Sequence, residues 1–213
     1  FIWHYMTGIT APVFFFASGT VFAYLLRKQE EKGRGFKNPR VKKGFIRTLM
    51  LLGTGYLLQV NSSFYEFFAA FDTSLLDWFI VSHVLHVIGI AISIIVLLYL
   101  PFAKSDFPLF TVFILAGNCF FLFYPDFIQT DFNKLMPQIF ANFFTKDNGS
   151  VFTIVPWTGF SLLGASFGLI LYRYKKLMNS SFFFFMFIAA GILLSWFSGY
   201  FLNFFYCLTE WDN

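Results

Sequence analysis

Residues 79–100 read Phe79-Ile-Val-Ser-His-Val-Leu-His-Val-Ile-Gly-Ile-Ala-Ile-Ser-Ile-Ile-Val-Leu-Leu-Tyr-Leu100, without a single Asp, Glu, Lys or Arg. A hydrocarbon core about 30 Å thick is crossed by roughly 20 mostly apolar residues in helical form, and this stretch has that length. It is continuously apolar and lacks the period-two alternation of a membrane barrel strand, so it predicts a helix. The same reading extends outward to Met6–Leu26, Phe45–Asn61, Phe107–Tyr124, Thr153–Tyr172 and Phe182–Leu202. Arg47 stands at the end of the shortest of these, where its long stem can snorkel to the surface, and Pro108 fits a first helical turn. The expectation is an all-α polytopic membrane bundle of about six transmembrane helices.

Composition agrees. Hydrophobic residues make up 58% of the 213-residue chain, aromatics 24%, and charged residues only 12%, with 36 phenylalanines. Soluble domains carry about a quarter charged residues, and one core of this size cannot hide so much apolar surface. A soluble globular domain is excluded, and so is disorder, which needs polar, charged sequence. Cys119 and Cys207 both lie in apolar runs, which favours packing over a disulfide framework.

The net charge of +4 is unevenly placed: nine of the fifteen Lys and Arg residues fall between Arg27 and Arg47. That block lies between two apolar spans and lacks a regular interleaved aromatic pattern, so a cytoplasmic loop is expected rather than a nucleic-acid surface. Strict alternation then puts thirteen of the fifteen basic residues on the cytoplasmic side, leaving Lys134 and Lys146 outside. The excess of Lys and Arg, not of acids, sets orientation. The first residues, with His4, then face the periplasm or lumen. Two long outer segments follow: acidic, aromatic Asn61–Trp78, and Pro125–Phe152. The second contains Phe132–Phe144, an interfacial helix expected to break near Pro137, and Asn148-Gly149, a turn.

All three histidines, His4, His83 and His86, fall near the outer face. His83 and His86, three residues apart, are expected on one helical face. An ionisable group in a span is a functional candidate by default, although an interfacial imidazole bonded to a neighbouring helix is the plainer reading of each. A metal site would need a further ligand, and none stands at diagnostic spacing, so no metal is expected. Gly159, Gly164 and Gly168, Ala17-Ser-Gly19 and Gly53-Thr-Gly55 mark places where helices approach closely. Asn61-Ser-Ser63 and Asn148-Gly-Ser150 match the glycosylation tripeptide, a pattern common by chance. Composition and topology alone reach a six-span membrane protein and no further.

Four stretches extend the reading. Thr7-Gly-Ile-Thr-Ala-Pro-Val-Phe-Phe-Phe-Ala-Ser-Gly19 resembles the second-span signature of the heparan-alpha-glucosaminide N-acetyltransferase-like membrane acyltransferases. Arg47-Thr-Leu-Met-Leu-Leu-Gly-Thr-Gly-Tyr-Leu-Leu-Gln59 resembles the span after that family's basic loop. Val84-Leu-His-Val-Ile-Gly89 resembles its Val-Leu-Gln-x-Ile-Gly motif, with His86 in the Gln position. Val151-Phe-Thr-Ile-Val-Pro-Trp-Thr-Gly-Phe-Ser-Leu-Leu-Gly164 is similar to the Phe-Pro-Leu-x-Pro-Trp-x-Gly segment of its bacterial branch.

The resemblance implies an integral-membrane acyltransferase that takes an acetyl or acyl group from cytosolic acyl-CoA. The group passes to an amino or hydroxyl group of a sugar-like acceptor beyond the membrane. The family's catalytic histidine precedes a Gly-Leu-Thr stretch, and His4 precedes Gly8-Ile-Thr10, one residue closer. His4 is thus the implied base, with an acyl-histidine as a variant, and His83 and His86 would orient His4 or the acceptor, with Asp77 polarising a histidine. The CoA phosphates would dock on Arg34, Lys37, Arg40, Lys42 and Lys43, residues that topology alone would also explain. The resemblance implies one transmembrane acyltransferase-like domain over 1–213, with a further span carrying Asp-x-x-Arg-Gly ahead of Phe1 and more spans beyond the end. The expected partners are the lipid bilayer and the acceptor, not nucleic acid; a homo-oligomer is left open. A small-molecule transporter or permease is the alternative. It would explain the spans and basic loops equally well, but carriers commonly place Asp, Glu or Lys inside a span, and none lies there.

Overall fold

A computed structural model of the chain describes residues 2–60, 79–103, 106–178 and, apart from 184, 187 and 190, 180–193. Two compact units divide it, 1–172 and 173–213. In the first, the helices are α1 (Ile2–Lys28), α2 (Pro39–Leu58), α3 (Val84–Phe102) and α4 (Asp106–Leu122). The short α5 (Tyr124–Gln129), α6 (Phe132–Leu135) and α7 (Gln138–Ala141) follow, and then α8 (Ile154–Arg173). In the second lie α9 (Lys175–Met178) and further helical residues between 181 and 193. The expected sixth span, Phe182–Leu202, is helical over its described part; its remainder lies outside the described residues. No strand occurs among the described residues, and the protein is an all-α membrane bundle.

Three described helices are long and apolar enough to cross a membrane: the α1 segment, α3 and α8; α4 is a shorter apolar helix. Helix α2 shows what solvent the bundle is built for. It buries Val41, Gly44, Thr48 and Gly55 while exposing Leu49 at 69%, Met50 at 64% and Leu58 at 72%. Small and polar inside, large and apolar outside, is the inverse of a water-soluble helix and fits contact with lipid.

The packing fixes helix directions. Ser161 Oγ donates to the Phe15 carbonyl at 3.1 Å and Thr20 Oγ1 to the Gly164 carbonyl at 3.0 Å, so α1 and α8 run parallel. A β-carbon at Gly19 would land on the Ser161 carbonyl oxygen, one at Gly164 on that of Phe16, and one at Gly168 on that of Thr20. Those glycines let two backbones touch, as their spacing predicts. Helices α2 and α3 run antiparallel. Gly44 faces Val96, Thr48 Oγ1 donates to the Gly89 carbonyl at 2.8 Å, Ser93 Oγ donates to Thr48 Oγ1 at 2.9 Å, and Gly55 faces His86. Gly117 and Phe121 on α4 meet Gly159 on α8, so these two are antiparallel as well.

Two functional ends result. The starts of α1, α3 and α8 share one end with the finishes of α2 and α4. The finish of α1, the 29–38 connection and the start of α2 lie at the other. At this basic end Arg27 is 3% exposed and its Nη1 meets both Glu30 carboxylate oxygens at 2.6 Å. Asn38 Oδ1 caps α2 by accepting from the Arg40 amide, while its Nδ2 donates to the Leu26 carbonyl at 2.9 Å and to the Tyr99 hydroxyl at 3.3 Å.

Candidate functional site

The expected helix over Phe79–Leu100 begins later, at Val84. Residues 81–83 are not helical, and His83, extended at φ −118°, ψ 173°, is the residue that caps α3. The segment is apolar enough to be helical, but side chains from elsewhere claim its backbone. Gln59 Nε2 donates to the Val81 carbonyl at 2.9 Å, Asn142 Nδ2 to the Ile80 carbonyl at 2.9 Å, and the Ser82 amide donates to Ser150 Oγ at 3.1 Å. His83 and His86 therefore do not share a helical face: the first precedes the helix and is half-buried, and the second lies inside it.

His86 is 0% exposed. Its Nδ1 accepts the His83 backbone N–H at 3.1 Å, and its ring lies 4.2 Å, centroid to centroid, from Tyr56 and edge-on to Phe143 at 6.2 Å. Gly55 makes room for it: a β-carbon there would stand 2.7 Å from both His86 Cε1 and Nε2. With Nδ1 occupied by a donor, the neutral imidazole holds its proton on Nε2. That atom is buried and has no hydrogen-bond partner, a condition shared at this end by Gln59 Oε1, Ser82 Oγ, Trp157 Nε1 and Thr158 Oγ1. Buried polar atoms in proteins are commonly bonded to protein groups or ordered water. Gln59 and Ser82 were not among the residues singled out by sequence. An uncharged Gln closing a span was the signal available for the first, and Ser82 gave none.

His4 lies in the first turn of α1, and its side chain is outside the described set. Counting equal lengths back from Arg27, whose Nη1 reaches the Ala103 carbonyl at 3.4 Å, sets His86 level with Thr10. At 1.5 Å per residue, His4 is then roughly 9 Å further along the axis. The three histidines share one end of the bundle. Asp77 lies outside the described residues. Pro12 stands within α1 and removes the amide that would have bonded the Gly8 carbonyl, close to the same level.

A cavity of about 170 Å³ opens beside this cluster, between Tyr124, Phe127, Phe144 and Val155, with Lys146 and Asp147 at its rim. Phe144, which lines it, directly follows Phe143, which packs on His86. Of the two lysines at this end, Lys134 is paired with Asp131 at 2.9 Å, and its ammonium holds the Asp131 carboxyl below its ordinary range. Phe132–Leu135 and Gln138–Ala141 are helical with the break at Met136–Pro137, and Gly149 at φ +89° makes the turn, both as expected.

The five candidate CoA contacts divide. Lys37, Lys42 and Lys43 are exposed. Arg34 is exposed but lies 3.9 Å from Glu30. Arg40 is half-buried, with its guanidinium 5.8 Å above the Phe22 ring and its Nε buried without a hydrogen bond. All five fall on the 29–38 connection and the first turns of α2, at the end opposite the histidines. Among the described residues no group of three or more His, Cys, Asp or Glu side chains is placed to hold a metal ion.

Comparison with known proteins gives one finding. The family model for heparan-alpha-glucosaminide N-acetyltransferase, catalytic, matches residues 1–202. No curated protein matches the chain, and no solved structure does.

Proposed function

The chain belongs to the heparan-alpha-glucosaminide N-acetyltransferase family, and on that premise we propose that it transfers an acetyl group from cytosolic acetyl-CoA, or a related acyl-CoA. The acceptor is an amino or hydroxyl group of a sugar-like molecule on the other side of the bilayer. The match over residues 1–202 is the observation that carries this reading. The separation of the basic end from the histidine end supports it.

In this reaction the acceptor N–H or O–H attacks the thioester carbonyl carbon. Its proton passes to the His4 imidazole, the C–S bond breaks, and CoA leaves as a thiolate that is then protonated. Imidazole suits the role because its ordinary pKa lies near neutrality. His83 and His86 orient the acceptor. Arg34, Lys37, Arg40, Lys42 and Lys43 dock the CoA phosphates, a task for which exposed cations and the unbonded Arg40 Nε are suited. The 27–47 loop is cytoplasmic.

Acetyl transfer from radiolabelled acetyl-CoA to a panel of amino sugars, in membranes holding the full-length protein, tests the assignment. His4→Ala is expected to lower turnover about a hundred- to ten-thousand-fold, the usual range for a lost general base, with unchanged protein in the membrane. Turnover near the wild-type rate would remove His4 from the mechanism. Single cysteines in the 27–47 loop should resist an impermeant thiol reagent in intact cells; labelling there would reverse the orientation.

A further inference from the structure

Two cavities meet at the finish of α4. The one of about 170 Å³ described above runs from Tyr124 and Phe144 to Lys146 and Asp147. A second, of about 150 Å³, is lined by Cys119, Phe120, Phe123, Phe127 and Val155 alone. Phe127 and Val155 wall both, so the two form one groove. That groove crosses the edge of the span. Cys119 and Phe120 belong to the last turn of the apolar α4, and Phe123 is 55% exposed on its outer surface. Tyr124 opens α5, at the level where tyrosine marks a membrane–water boundary, and Lys146 and Asp147 beyond it are exposed. The hydroxyl protons inside the groove are spent: Thr153 Oγ1 donates to the Val155 carbonyl at 2.6 Å and Thr145 Oγ1 to Asp147 Oδ2 at 2.7 Å. At the mouth the charges are free. Lys146 has no ion pair among the described residues, unlike Lys134, and Asp147 Oδ1 accepts no hydrogen bond among them.

We propose that this groove holds one bilayer phospholipid with a primary ammonium head group, of the phosphatidylethanolamine kind. One acyl chain lies between Cys119, Phe123 and Val155, the phosphate meets Lys146, and the ammonium meets Asp147. Chemistry selects this occupant. The inner walls are aromatic and aliphatic with their hydroxyls committed, so a polyol would lose its water there without gaining partners, whereas a hydrocarbon chain gains contact. The mouth carries one cation and one carboxylate on adjacent residues. A purely anionic head group would set its phosphate against Asp147 as well as Lys146. A choline head group balances the charges, but its nitrogen bears methyl groups and has no N–H to give the carboxylate. Only the ammonium-bearing zwitterion makes a charge-assisted hydrogen bond to each. This site stands whether or not the protein transfers acetyl groups.

The test uses full-length protein in nanodiscs of phosphatidylethanolamine, phosphatidylglycerol and phosphatidylcholine in equal parts. In three matched samples one of the lipids carries a photoactivatable diazirine halfway along an acyl chain, and crosslinked peptides are mapped by mass spectrometry. The phosphatidylethanolamine probe should concentrate on residues 119–127 and label them about fivefold more than either other probe, the scale of one exposed ion pair. Lys146→Gln and Asp147→Asn should each bring the three probes within about twofold, while Lys146→Arg, which keeps the charge, should retain the preference. Cys119→Trp, at an exposed position, should fill the apolar part and lower labelling of 120–127 by every probe about fivefold. Labelling of the exposed Leu49 and Leu58 on α2 as strong as that of 119–127 would mean annular lipid only, and would overturn the site. Absence of label at 119–127 would mean that another part of the chain covers the groove, and would overturn it equally. A preference for phosphatidylglycerol, or one unchanged in both Lys146→Gln and Asp147→Asn, would sink the head-group assignment.

Discussion

Two seams of the bundle are built on glycine, and they use it for different ends. Between α1 and α8, Gly19, Gly164 and Gly168 each face a backbone carbonyl of the partner helix. Between α2 and α3, Gly55 faces the imidazole of His86. The first seam is backbone against backbone, closed by the Ser161 and Thr20 hydroxyls; the second encloses a polar side chain whose outward nitrogen has no partner. The same residue type in the same kind of apolar run therefore signals either contact or a cradle, and only the opposing atom tells which. Backbone cannot step aside, whereas a ring can turn about its side-chain bonds.

One substitution, Gly to Ala, made at three positions sharpens this contrast. Gly164→Ala puts a methyl onto the Phe16 carbonyl oxygen and should have the largest effect, a loss of about 3 kcal/mol or more by overpacking. Size-exclusion chromatography of the solubilised protein should then show aggregate in place of a single species, and an unshifted melting temperature would break the comparison. The nearest atoms that Gly55→Ala meets belong to the His86 ring, at 2.7–3.0 Å. It should cost about 1–2 kcal/mol, leave a monodisperse protein, and lower acetyl transfer about tenfold by displacing the imidazole. A loss of folding as severe as that of Gly164→Ala would show both seams to be equally rigid. Gly53→Ala has nothing within 4 Å and should be neutral or stabilising by up to about 1 kcal/mol, the helix-propensity difference. A drop in melting temperature there would mean that the face is covered.

These seams also show what could be read in advance. The spans, the basic loop, the broken 132–144 helix and the turn at Gly149 follow from hydropathy, charge and turn chemistry, all of which are local. The glycines are legible as places of close approach, but the carbonyl or ring they face is set by a partner more than a hundred residues away for Gly19 and Ser161. The start of α3 was displaced from Phe79 to Val84 for a similar reason. Apolarity predicts burial equally for helix and for non-helical chain, and the Gln59 and Asn142 amides that bond the Val81 and Ile80 carbonyls lie in other elements. Of the candidate site, the shared placement of the histidines at one end was legible from position along the spans. The fixed tautomer of His86 and the involvement of Gln59 and Ser82 were not, because they depend on individual hydrogen bonds.

Asn38 has a consequence for how the protein is made. Its side chain bonds the last turn of α1, twelve positions back, and the Tyr99 hydroxyl, sixty-one positions ahead, while capping α2. As the chain leaves the ribosome, the α1–α2 hairpin can fasten itself through the Leu26 carbonyl at once, but the bond to Tyr99 must wait for the third span. Asn38 thus orders assembly into a hairpin first and a three-helix clasp second, so a ribosome-arrested chain ending before Tyr99 should already crosslink α1 to α2 through cysteines on the two helices that leave Asn38 in place. Absence of that crosslink until α3 has emerged would reverse the order.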